Sequence, residues 1–486
     1  MSAVVVLVPL IAAVVAFLSP GRLAAVVAFA STVATFLLAL FLPGSAPLAL
    51  EWLPQAGVNV ALDPGGASSV LVLAAALAMV PTVLVAARRP PSGGPATLLG
   101  LLLVMQASLN GLFLASNLVL LYVFWEATLI PSLLMLGLFG GERRRGAVTK
   151  YLVYAVAGSF LMLATVLALR PLSGAASYDL VDLLPATRGL DPVTQAWLFA
   201  GFAAAFAVKL PLFPLHSWLI DFHRENHPSG VADVGGTLYK VGGFGFFAWA
   251  IPLLPAGAEA FQPVLLALAA VTAAWGGLAA TQQKDLKSLL AYMSLSHMGV
   301  VGVGVMSLTD LGMTGAMALL AAQMLSTSGL FLLAGMLHAR RHTFDFAAYG
   351  GLAKSAPALA AVTLLVMFAA VGVPGLSNFP GEFLSLMGAF VANPAVAVFA
   401  ALGSVVAGGI YGVNTYQRLF QGRPEASVRD LAGFEVVVLA PILAGILWLG
   451  LAPAPQIDRI DAATQVALAA EAEAVPPPVL TSGGER

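Results

Sequence analysis

Long apolar segments follow one another almost without interruption along this chain. Each is close to the ~20 residues that a helix needs to cross a bilayer, and each ends at proline, glycine or charged residues. Fourteen such segments cover residues 3–18, 23–42, 68–87, 97–115, 117–139, 148–170, 195–211, 231–252, 262–281, 288–307, 312–338, 356–373, 395–417 and 434–452. The pattern predicts an all-α polytopic membrane protein with about 14 transmembrane helices.

The composition supports this prediction. Of the 486 residues, 60% are hydrophobic and 9% are charged, whereas a soluble domain has about 25% charged residues. A soluble enzyme is therefore excluded. Cysteine is absent, which excludes disulfides and thiolate-bound metal or iron–sulfur centres on this chain. We expect the first segment to be retained, because no basic region precedes it and no small-residue cleavage site follows it.

Helices seven and twelve are predicted to be broken. Pro211 and Pro214 separate helix seven from a short half-helix around 216–220, and Pro374 precedes an apolar stretch at 379–390 that is too short to span a bilayer alone. Proline ends or kinks a helix because it lacks a backbone N–H and clashes with the preceding turn.

The two breaks follow similar sequences. Residues Ala207 to Pro211 read Ala-Val-Lys-Leu-Pro, and residues Ala370 to Pro374 read Ala-Val-Gly-Val-Pro. The copies lie five helices apart, and because five is odd the second copy enters the membrane in the opposite orientation. This predicts two inverted five-helix repeats. Chance similarity in a chain rich in alanine and valine is the alternative.

This layout divides the chain into five parts. Helices one to three occupy 1–95, the first repeat with helices four to eight occupies 96–252, and the inverted repeat with helices nine to thirteen occupies 262–418. Helix fourteen is 434–452, and 453–486 is a short C-terminal tail. The tail is acidic and rich in proline, so we expect a surface strap or a disordered segment.

Lysine and arginine are distributed unevenly between the two sets of alternate loops. Sixteen of the 22 lie in one set and four in the other. By the positive-inside rule the first set is cytoplasmic, and both termini face outward.

Four charged residues are expected inside helices, namely Glu126, Lys209, Lys240 and Glu382. A charge at mid-membrane costs at least ~2.5–3.5 kcal/mol, so each needs a partner or a path for water. Burial favours the neutral form of a lysine and a nearby carboxylate favours the charged form. A Glu126–Lys209 contact that opens and closes therefore predicts a lysine that binds and releases a proton. A static ion pair that holds the helices together is the alternative.

Three of these positions have further features. Glycines beside Lys240 thin the helix and can admit water. Glu382 follows Pro380 and Gly381 at the broken helix, which favours an exit-side proton site, although the helix dipole alone also favours an acid there. His297 is expected well inside the membrane, where a neutral imidazole can relay a proton; a hydrogen-bonded core histidine is the alternative.

The remaining candidates lie near the cytoplasmic ends of helices. His216, His223 and His227 surround the loop after helix seven, and Lys287 lies at the start of helix ten. The histidine spacing resembles that of metal ligands, but the flanking charges favour a solvated rim where protons are taken up. We therefore count His216, His223 and Lys287 as secondary proton sites and expect no metal.

Five stretches around these residues carry a resemblance to a known family. They are Phe124-Trp-Glu-Ala-Thr-Leu-Ile-Pro131, Val208-Lys-Leu-Pro-Leu-Phe-Pro-Leu-His-Ser-Trp218, Leu238-Tyr-Lys-Val-Gly-Gly243, Gln283-Lys-Asp-Leu-Lys-Ser-Leu-Leu-Ala-Tyr-Met-Ser-Leu-Ser-His-Met-Gly299 and Asn378-Phe-Pro-Gly-Glu-Phe383. With the helix layout, they resemble the antiporter-like subunits of respiratory complex I, NADH-quinone oxidoreductase, and their relatives in multisubunit cation/proton antiporters. The resemblance covers nearly the whole chain.

The resemblance assigns roles residue by residue. Glu126 matches the helix-five glutamate, Lys209 the helix-seven lysine, Lys240 the central helix-eight lysine, His297 the helix-ten histidine and Glu382 the terminal site. Glutamate at this last position is typical of the M branch, whereas the L and N branches and the cation antiporter subunits usually carry lysine. Where many members have a histidine on helix eleven, this chain has Gln323, which does not titrate.

The resemblance also implies partners. The chain would form one proton channel of a translocase in a bacterial inner membrane, beside L- and N-type subunits and the peripheral arm. NADH, FMN, iron–sulfur clusters and quinone would belong to partner subunits, with no cofactor on this chain and no nucleic-acid partner. Two alternatives remain open, a subunit of a cation/proton antiporter and a membrane anchor whose buried charges only stabilise assembly.

Overall fold

The computed structural model describes residues 1–88, 94–238, 241–423 and 427–472. Each predicted apolar segment is helical there. The α-helices are α1 (Ser2–Leu18), α2 (Gly21–Leu40), α3 (Gly66–Arg88), α4 (Pro95–Leu114), α5 (Leu118–Phe139), α6 (Arg144–Ser173), α7 (Leu180–Thr187), α8 (Pro192–Lys209), α9 (Ser217–Glu225), α10 (Val231–Leu238), α11 (Gly242–Gly245), α12 (Ile251–Leu253), α13 (Pro255–Thr281), α14 (Leu286–Met306), α15 (Asp310–Arg341), α16 (Pro357–Ala370), α17 (Asn378–Ala392), α18 (Pro394–Ala401), α19 (Ala407–Phe420), α20 (Gly433–Leu451) and α21 (Ala454–Ala472).

Five shorter helical segments complete these elements within the described residues. Two are π-helical turns, Phe246–Ala250 between α11 and α12 and Leu402–Val406 between α18 and α19. Three are 3₁₀ turns, Pro54–Ala56, Phe346–Ala348 and Leu352–Lys354. The π turns make α10 to α12 and α18 to α19 into two irregular helical stretches where sequence predicts single helices.

The structure describes ten helices that are long and apolar enough to cross a membrane. The most buried of them are α14 and α15, in which 94% of the apolar segment lies inside the protein, whereas in α2 and α20 the buried share is 33%. Helices α14 and α15 therefore form the centre of the bundle, while α2 and α20 keep most of their apolar surface for lipid. The chain is a helical multi-span membrane protein.

The first break separates α8 from α9. Pro211 cannot continue the helical hydrogen bonds, and the chain turns through Leu212, whose N–H donates to the carbonyl of Ala207 at 2.9 Å. The N–H of Phe213 donates to Thr272 Oγ1 on α13 at 2.8 Å. A neighbouring helix thus satisfies a backbone group that the break exposes, as an apolar environment requires.

The second break separates α16 from α17. Gly372 and Gly375 have φ values of +73° and +88°, a backbone conformation that glycine adopts without a steric penalty. The Asn378 side chain spans the gap, because its Nδ2 donates to the carbonyl of Ala370 at 3.2 Å. Ser326 on α15 donates to Asn378 Oδ1 at 3.0 Å, which anchors the break to the central helix.

A β-hairpin and α7 lie outside the predicted apolar segments. Strands β1 (Leu48–Leu53) and β2 (Val58–Leu62) pair in antiparallel orientation. Asp179, just before α7, accepts hydrogen bonds from Asn59 of β2 at 2.6 Å and from Asn117 before α5 at 2.7 Å. One carboxylate therefore ties three connections together at this end of the bundle.

The start of the C-terminal tail is a helix that packs on the bundle. Residues Ala454–Ala472 form α21, so of the two expected alternatives the disordered segment is wrong for this part of the tail. Ile460 and Thr464 are fully buried, and Thr314 on α15 donates to Thr464 Oγ1 at 2.9 Å. Positions four apart share one helix face, so this sequence can bury a stripe despite its low overall hydropathy. The proline-rich end of the tail lies outside the described residues.

Candidate proton-translocation site

Lys209 and Glu126 come together where α8 ends. Lys209 is 3% exposed. Its Nζ donates to the carbonyl of Trp125 at 3.0 Å and to Thr128 Oγ1 at 2.9 Å, and it lies 4.0 Å from the centre of the Trp125 ring. The Glu126 carboxylate attracts this ammonium group. The Trp125 carbonyl and the Thr128 hydroxyl, on both sides of Glu126 along α5, thus hold the Lys209 ammonium near this carboxylate.

The Glu126 side chain is less constrained than the lysine. It is half-buried, and its Oε1 is buried with no hydrogen-bond partner among the described residues. An unsatisfied carboxylate oxygen can accept a proton or a hydrogen bond from a group that moves toward it. Glu126 thus keeps an acceptor oxygen available beside the buried lysine.

Glu382 occupies a second, separate site on α17. It is 4% exposed and lies near the Ser404 side chain in the π turn. Its Oε1 has no hydrogen-bond partner among the described residues. Its Oε2 lies against Gly372 in the broken segment, so closely that a Cβ atom at Gly372 would overlap it. Tyr411 on α19 also lies within electrostatic range. The break in helix twelve thus leaves room for a carboxylate beside unwound backbone, as predicted for this position.

Several buried polar groups on α15, α16 and α19 lack hydrogen-bond partners among the described residues. They include both amide atoms of Gln323 and the hydroxyls of Thr327, Thr363, Tyr411 and Thr415. Buried polar groups are normally satisfied, either by protein or by water. Such a collection of hydroxyls and an amide is typical of a hydrated interior, in which Gln323 can carry hydrogen bonds although it does not titrate.

Three further predicted proton sites are His297, His216 and Lys240. His297 is fully buried on α14. His216 precedes α9, where its ring stacks on Phe213 at 5.4 Å and its Nδ1 has no hydrogen-bond partner among the described residues. Lys240 lies outside the described residues. Gly242, which follows it, packs directly on the first break, since a Cβ there would overlap the Phe206 carbonyl.

His223 and Lys287 meet at a buried aspartate that the sequence argument did not select. The His223 Nδ1 lies 3.0 Å from Asp233 Oδ1, and the Lys287 Nζ lies 3.3 Å from Asp233 Oδ2. All three side chains are at least 96% buried. The three residues are called the His–Asp–Lys cluster below.

The expectation of four charged residues inside helices is therefore wrong. Asp233 and Glu435 also fall within predicted helical segments and are fully buried. Glu435 Oε1 accepts from Arg340 Nη1 at 2.9 Å. Both acids lie within three residues of a helix start, where the sequence suggests a solvated end. One feature of the sequence could have identified both residues. Each is an acid within an apolar segment, and its neighbours in sequence include glycine and alanine rather than other charged residues.

The comparisons with known proteins agree on one family. The sequence profile described as NADH:quinone oxidoreductase/Mrp antiporter, TM, matches residues 115–408, more than half of the chain. The chain belongs to the NADH:quinone oxidoreductase/Mrp antiporter family. Glu126, Lys209 and both helix breaks lie within the matched region.

Individual relatives within this NADH:quinone oxidoreductase/Mrp antiporter family are similar over most of their length. NADH-quinone oxidoreductase subunit 13 of Thermus thermophilus is 47% identical over 423 residues, covering 85% of this chain and 88% of that protein. NADH-quinone oxidoreductase subunit M of Rhodobacter capsulatus is 35% identical over 373 residues, covering 74% and 72%. A chain of respiratory complex I from Thermus thermophilus with bound NADH superposes with a TM-score of 0.90 at 43% identity, covering 96% and 100%.

Membership of the NADH:quinone oxidoreductase/Mrp antiporter family makes a proton path the natural interpretation of these buried groups. Within the described part of the chain, no group of three or more histidine, cysteine, aspartate or glutamate side chains could hold a metal ion. The chemistry that the described site residues can perform is the binding and release of protons by lysine, glutamate, aspartate and histidine side chains.

Proposed function

We propose that this chain is a proton-translocating membrane subunit of a bacterial NADH-quinone oxidoreductase. The single observation that carries the proposal is the buried Lys209 ammonium, held at the end of α8 beside the Glu126 carboxylate. A charged pair at this depth is costly unless it is used or fully satisfied. The named relatives are NADH-quinone oxidoreductase subunits, which favours that complex over a cation/proton antiporter.

The geometry suggests how Lys209 takes part. Its ammonium is stabilised by Glu126, by the Trp125 ring and carbonyl, and by Thr128. Moving the ammonium away from these groups removes the attraction while burial continues to oppose the charge, so the lysine gives up its proton more readily. Lys209 is the last residue of α8, so it lies directly beside the helix break, where the backbone is not held by the regular helical hydrogen bonds.

The proton path that we propose joins both halves of the protein. Glu126, Lys209 and Lys240 act in the first half, His297 relays protons between the halves, and Glu382 acts in the second half beside its broken helix. His216, His223 and Lys287 serve as secondary sites near the proton-uptake end. The role of Lys240 rests on its sequence context, and those of the others rest also on their burial and contacts.

Two structural echoes support the proposed inverted repeats at 96–252 and 262–418. The residue after α8, Leu210, has φ and ψ of −85° and 15°, and the residue after α16, Val371, has −88° and 14°. Each break is followed by a helical stretch that contains a π turn. A helix break followed by a helical stretch with a π turn thus occurs in both halves, in the same order.

The contacts between loops support the proposed 14 crossings and the remaining boundaries, 1–95, 434–452 and 453–486. The connections joined by Asp179 belong to loops assigned to one side. On the other side, the Arg143 N–H donates to Glu225 Oε2 at 2.9 Å and Arg418 donates to the carbonyl of Gln283 at 3.1 Å. Contacts between alternate loops support the proposed alternation of the helices across the membrane, and the distribution of basic residues supports placing both termini outside the cytoplasm.

The proposal places the redox chemistry on other chains. This chain contributes the proton path in the inner membrane, beside other antiporter-like subunits. NADH, FMN, iron–sulfur clusters and quinone are held by partner subunits, because the chain has no cysteine to hold a cluster and its titratable groups suit proton transfer. Coupling between the distant redox reaction and proton movement in this chain requires a structural element that can adopt two arrangements. We propose that the helix break beside Lys209 is this element.

The decisive experiment uses the Glu126→Gln variant in the assembled complex. Glutamine keeps the shape of the side chain but cannot bind a proton or stabilise the Lys209 ammonium. We expect the complex to lose most of its NADH-driven acidification of inverted membrane vesicles. The measurement is the number of protons moved per NADH oxidised, with assembly assessed in the same membranes.

Glu435→Gln is the matched control. It is an equally conservative substitution, and it also removes a buried carboxylate, one that pairs with Arg340. This variant should pump normally once assembled. Normal pumping by the Glu126→Gln complex would contradict the proposal and would support a membrane anchor with structural charges. Sodium/proton exchange would then be measured to test the antiporter alternative.

A further inference from the structure

A small cavity opens beside the His–Asp–Lys cluster. Its volume is about 240 Å³, and its walls include His227, Ser229 and His338. Two connections lead from this cavity to Lys287. The Lys287 Nζ donates to the carbonyl of Asn226, which directly precedes His227. The Nζ also lies 5.6 Å from the centre of the Phe344 ring, which stacks on His338 at 4.6 Å.

The Asn226 side chain offers a polar step between the cavity and the cluster. It is 2% exposed, and neither its Oδ1 nor its Nδ2 has a hydrogen-bond partner among the described residues. A buried carboxamide with both ends unsatisfied can both donate to and accept from water or a proton carrier. Its backbone carbonyl contacts Lys287, and the next residue, His227, lines the cavity, so Asn226 lies between the cavity wall and the cluster.

His227 is suited to receive protons from the cavity. Burial and the nearby Lys287 lower its pKa below the usual range, with Asp233 opposing the shift. The imidazole is therefore neutral near pH 7, and a neutral imidazole has an acceptor nitrogen. Ser229 Oγ lies 2.9 Å from His227 Nδ1, which fixes the orientation of the ring in the cavity wall.

The charges within the cluster favour a reversible proton site. With Lys287 protonated, Asp233 ionised and His223 neutral, the net charge is zero, and one proton taken up from the cavity makes it +1. The carboxylate between two bases stabilises the protonated form of both. Other titratable or charged groups near the cluster and the cavity are Glu225, Asp285, His227, His338 and His342.

We infer that His223, Asp233 and Lys287 form a proton-loading site, filled from the cavity lined by His227 and His338, that supplies protons to this subunit. The inference rests on the proposed function and adds Asp233 to it as the group that sets how strongly protons are held. In each cycle a proton from water binds a base of the cluster and leaves it for the next site, so the cluster returns to its starting charge. No bond other than those to the proton is made or broken.

The test is the pH dependence of pumping by the Asp233→Asn complex. Removing the anion weakens proton binding by Lys287 and His223, since an opposite charge at this distance shifts proton binding by about 1–3 pH units. The alkaline limb of the profile should therefore move to lower pH by about that amount. The measured quantity is protons moved per NADH oxidised, which cancels the effect of pH on the redox reaction.

Two controls separate proton loading from a structural effect. Asp233→Glu keeps the charge and should restore the alkaline limb. Asp221→Asn removes a half-exposed aspartate on α9, which pairs with Lys150 of α6 at 2.8 Å. The pH profile of pumping by this variant should match that of the wild type. If the complex with Asp233→Asn fails to assemble, the Asp233→Asn/Lys287→Gln pair removes both charges together and avoids an uncompensated buried charge.

A wild-type pH profile in the assembled Asp233→Asn complex, or wild-type pumping by the double variant, would overturn the inference. Such a result together with lost pumping in Glu126→Gln leaves the proposed function intact and rejects only the loading site. Wild-type pumping in both Glu126→Gln and Asp233→Asn rejects the proposed function as well.

Discussion

At the scale of single residues, the protein places two of its buried ionisable side chains, Glu382 and Lys209, beside the two helix breaks. Glu382 reaches the unwound backbone because Gly372 has no Cβ atom. Lys209 reaches α5 from the last position of α8. In both cases a charge lies next to a helix end, where free backbone groups and space allow hydration that an intact helix in lipid excludes.

Gly372→Ala tests whether Glu382 needs that space. The substitution puts an alanine into a left-handed conformation, which costs roughly 1–2 kcal/mol, and it forces the Glu382 carboxylate to move. We expect protons moved per NADH to fall several-fold in the assembled complex. Gly375→Ala is the matched control, because Gly375 has a similar φ of +88° but its Cβ would lie 3.9 Å from its nearest neighbour.

Equal losses in Gly372→Ala and Gly375→Ala would show that backbone strain at the break, rather than displacement of Glu382, limits pumping. The contact-specific explanation requires that Gly375→Ala keep most of its activity, although both variants should show a similar small loss of stability.

At the scale of elements, each broken helix is completed by side chains from its neighbours. Thr272 on α13 accepts the Phe213 N–H at the first break, and Asn378 with Ser326 spans the second. Unsatisfied backbone groups in lipid cost several kcal/mol. The intact helices α13 and α15 are therefore as necessary to the breaks as the prolines that initiate them.

Thr272→Val should weaken the first break. It leaves the buried Phe213 N–H without an acceptor, which costs about 1–3 kcal/mol, and the thermal unfolding midpoint of the purified chain in detergent should fall accordingly. Thr82→Val is the matched control. Both threonines are fully buried and donate to the carbonyl four residues earlier, at 2.6 Å for Thr272 and 2.7 Å for Thr82.

Within the described residues, Thr272 also accepts a backbone N–H from the break, whereas Thr82 does not. An equal fall of the midpoint in Thr82→Val would mean that the loss reflects the helix's own hydroxyl contact, and the role assigned to Thr272 would be rejected.

At the scale of the whole molecule, the distribution of basic residues and the hydrogen bonds between loops divide the loops into the same two sets. Sixteen basic residues lie in one set of alternate loops and four in the other. The contacts of Asp179 join loops of the second set, whereas Arg143, Glu225 and Arg418 lie in contacts within the first. A protein with this arrangement has one strongly basic face, which the positive-inside rule assigns to the cytoplasm.

Because the chain has no cysteine, single cysteines can report its orientation directly. Ala46→Cys lies in an exposed loop of the sparsely basic set, and Glu142→Cys lies in an exposed loop of the basic set. In intact spheroplasts we expect a membrane-impermeant thiol reagent to label Ala46→Cys but not Glu142→Cys. Inverted vesicles should give the reverse pattern. Labelling of both residues from the same side would reject the proposed number of crossings.

The sequence by itself determined the membrane class and the position of most helices. Apolar runs of bilayer length can form little else, because an exposed backbone must satisfy its hydrogen bonds within the helix. It also indicated Glu126, Lys209, His297 and Glu382, since a charge or a histidine is conspicuous in an apolar run. The two breaks followed from proline and glycine, whose effects are local.

Only the tertiary structure decided which charges meet. Asp233 joins His223 and Lys287 from three different helices, so no spacing in the sequence reveals the cluster. The start of the tail became a helix because α15 buries one of its faces. The sequence echo aligns Lys209 with Gly372, whereas the backbone aligns it with Ala370, the last residue of α16. Packing sets these relations because burial and pairing depend on neighbours that are distant along the chain.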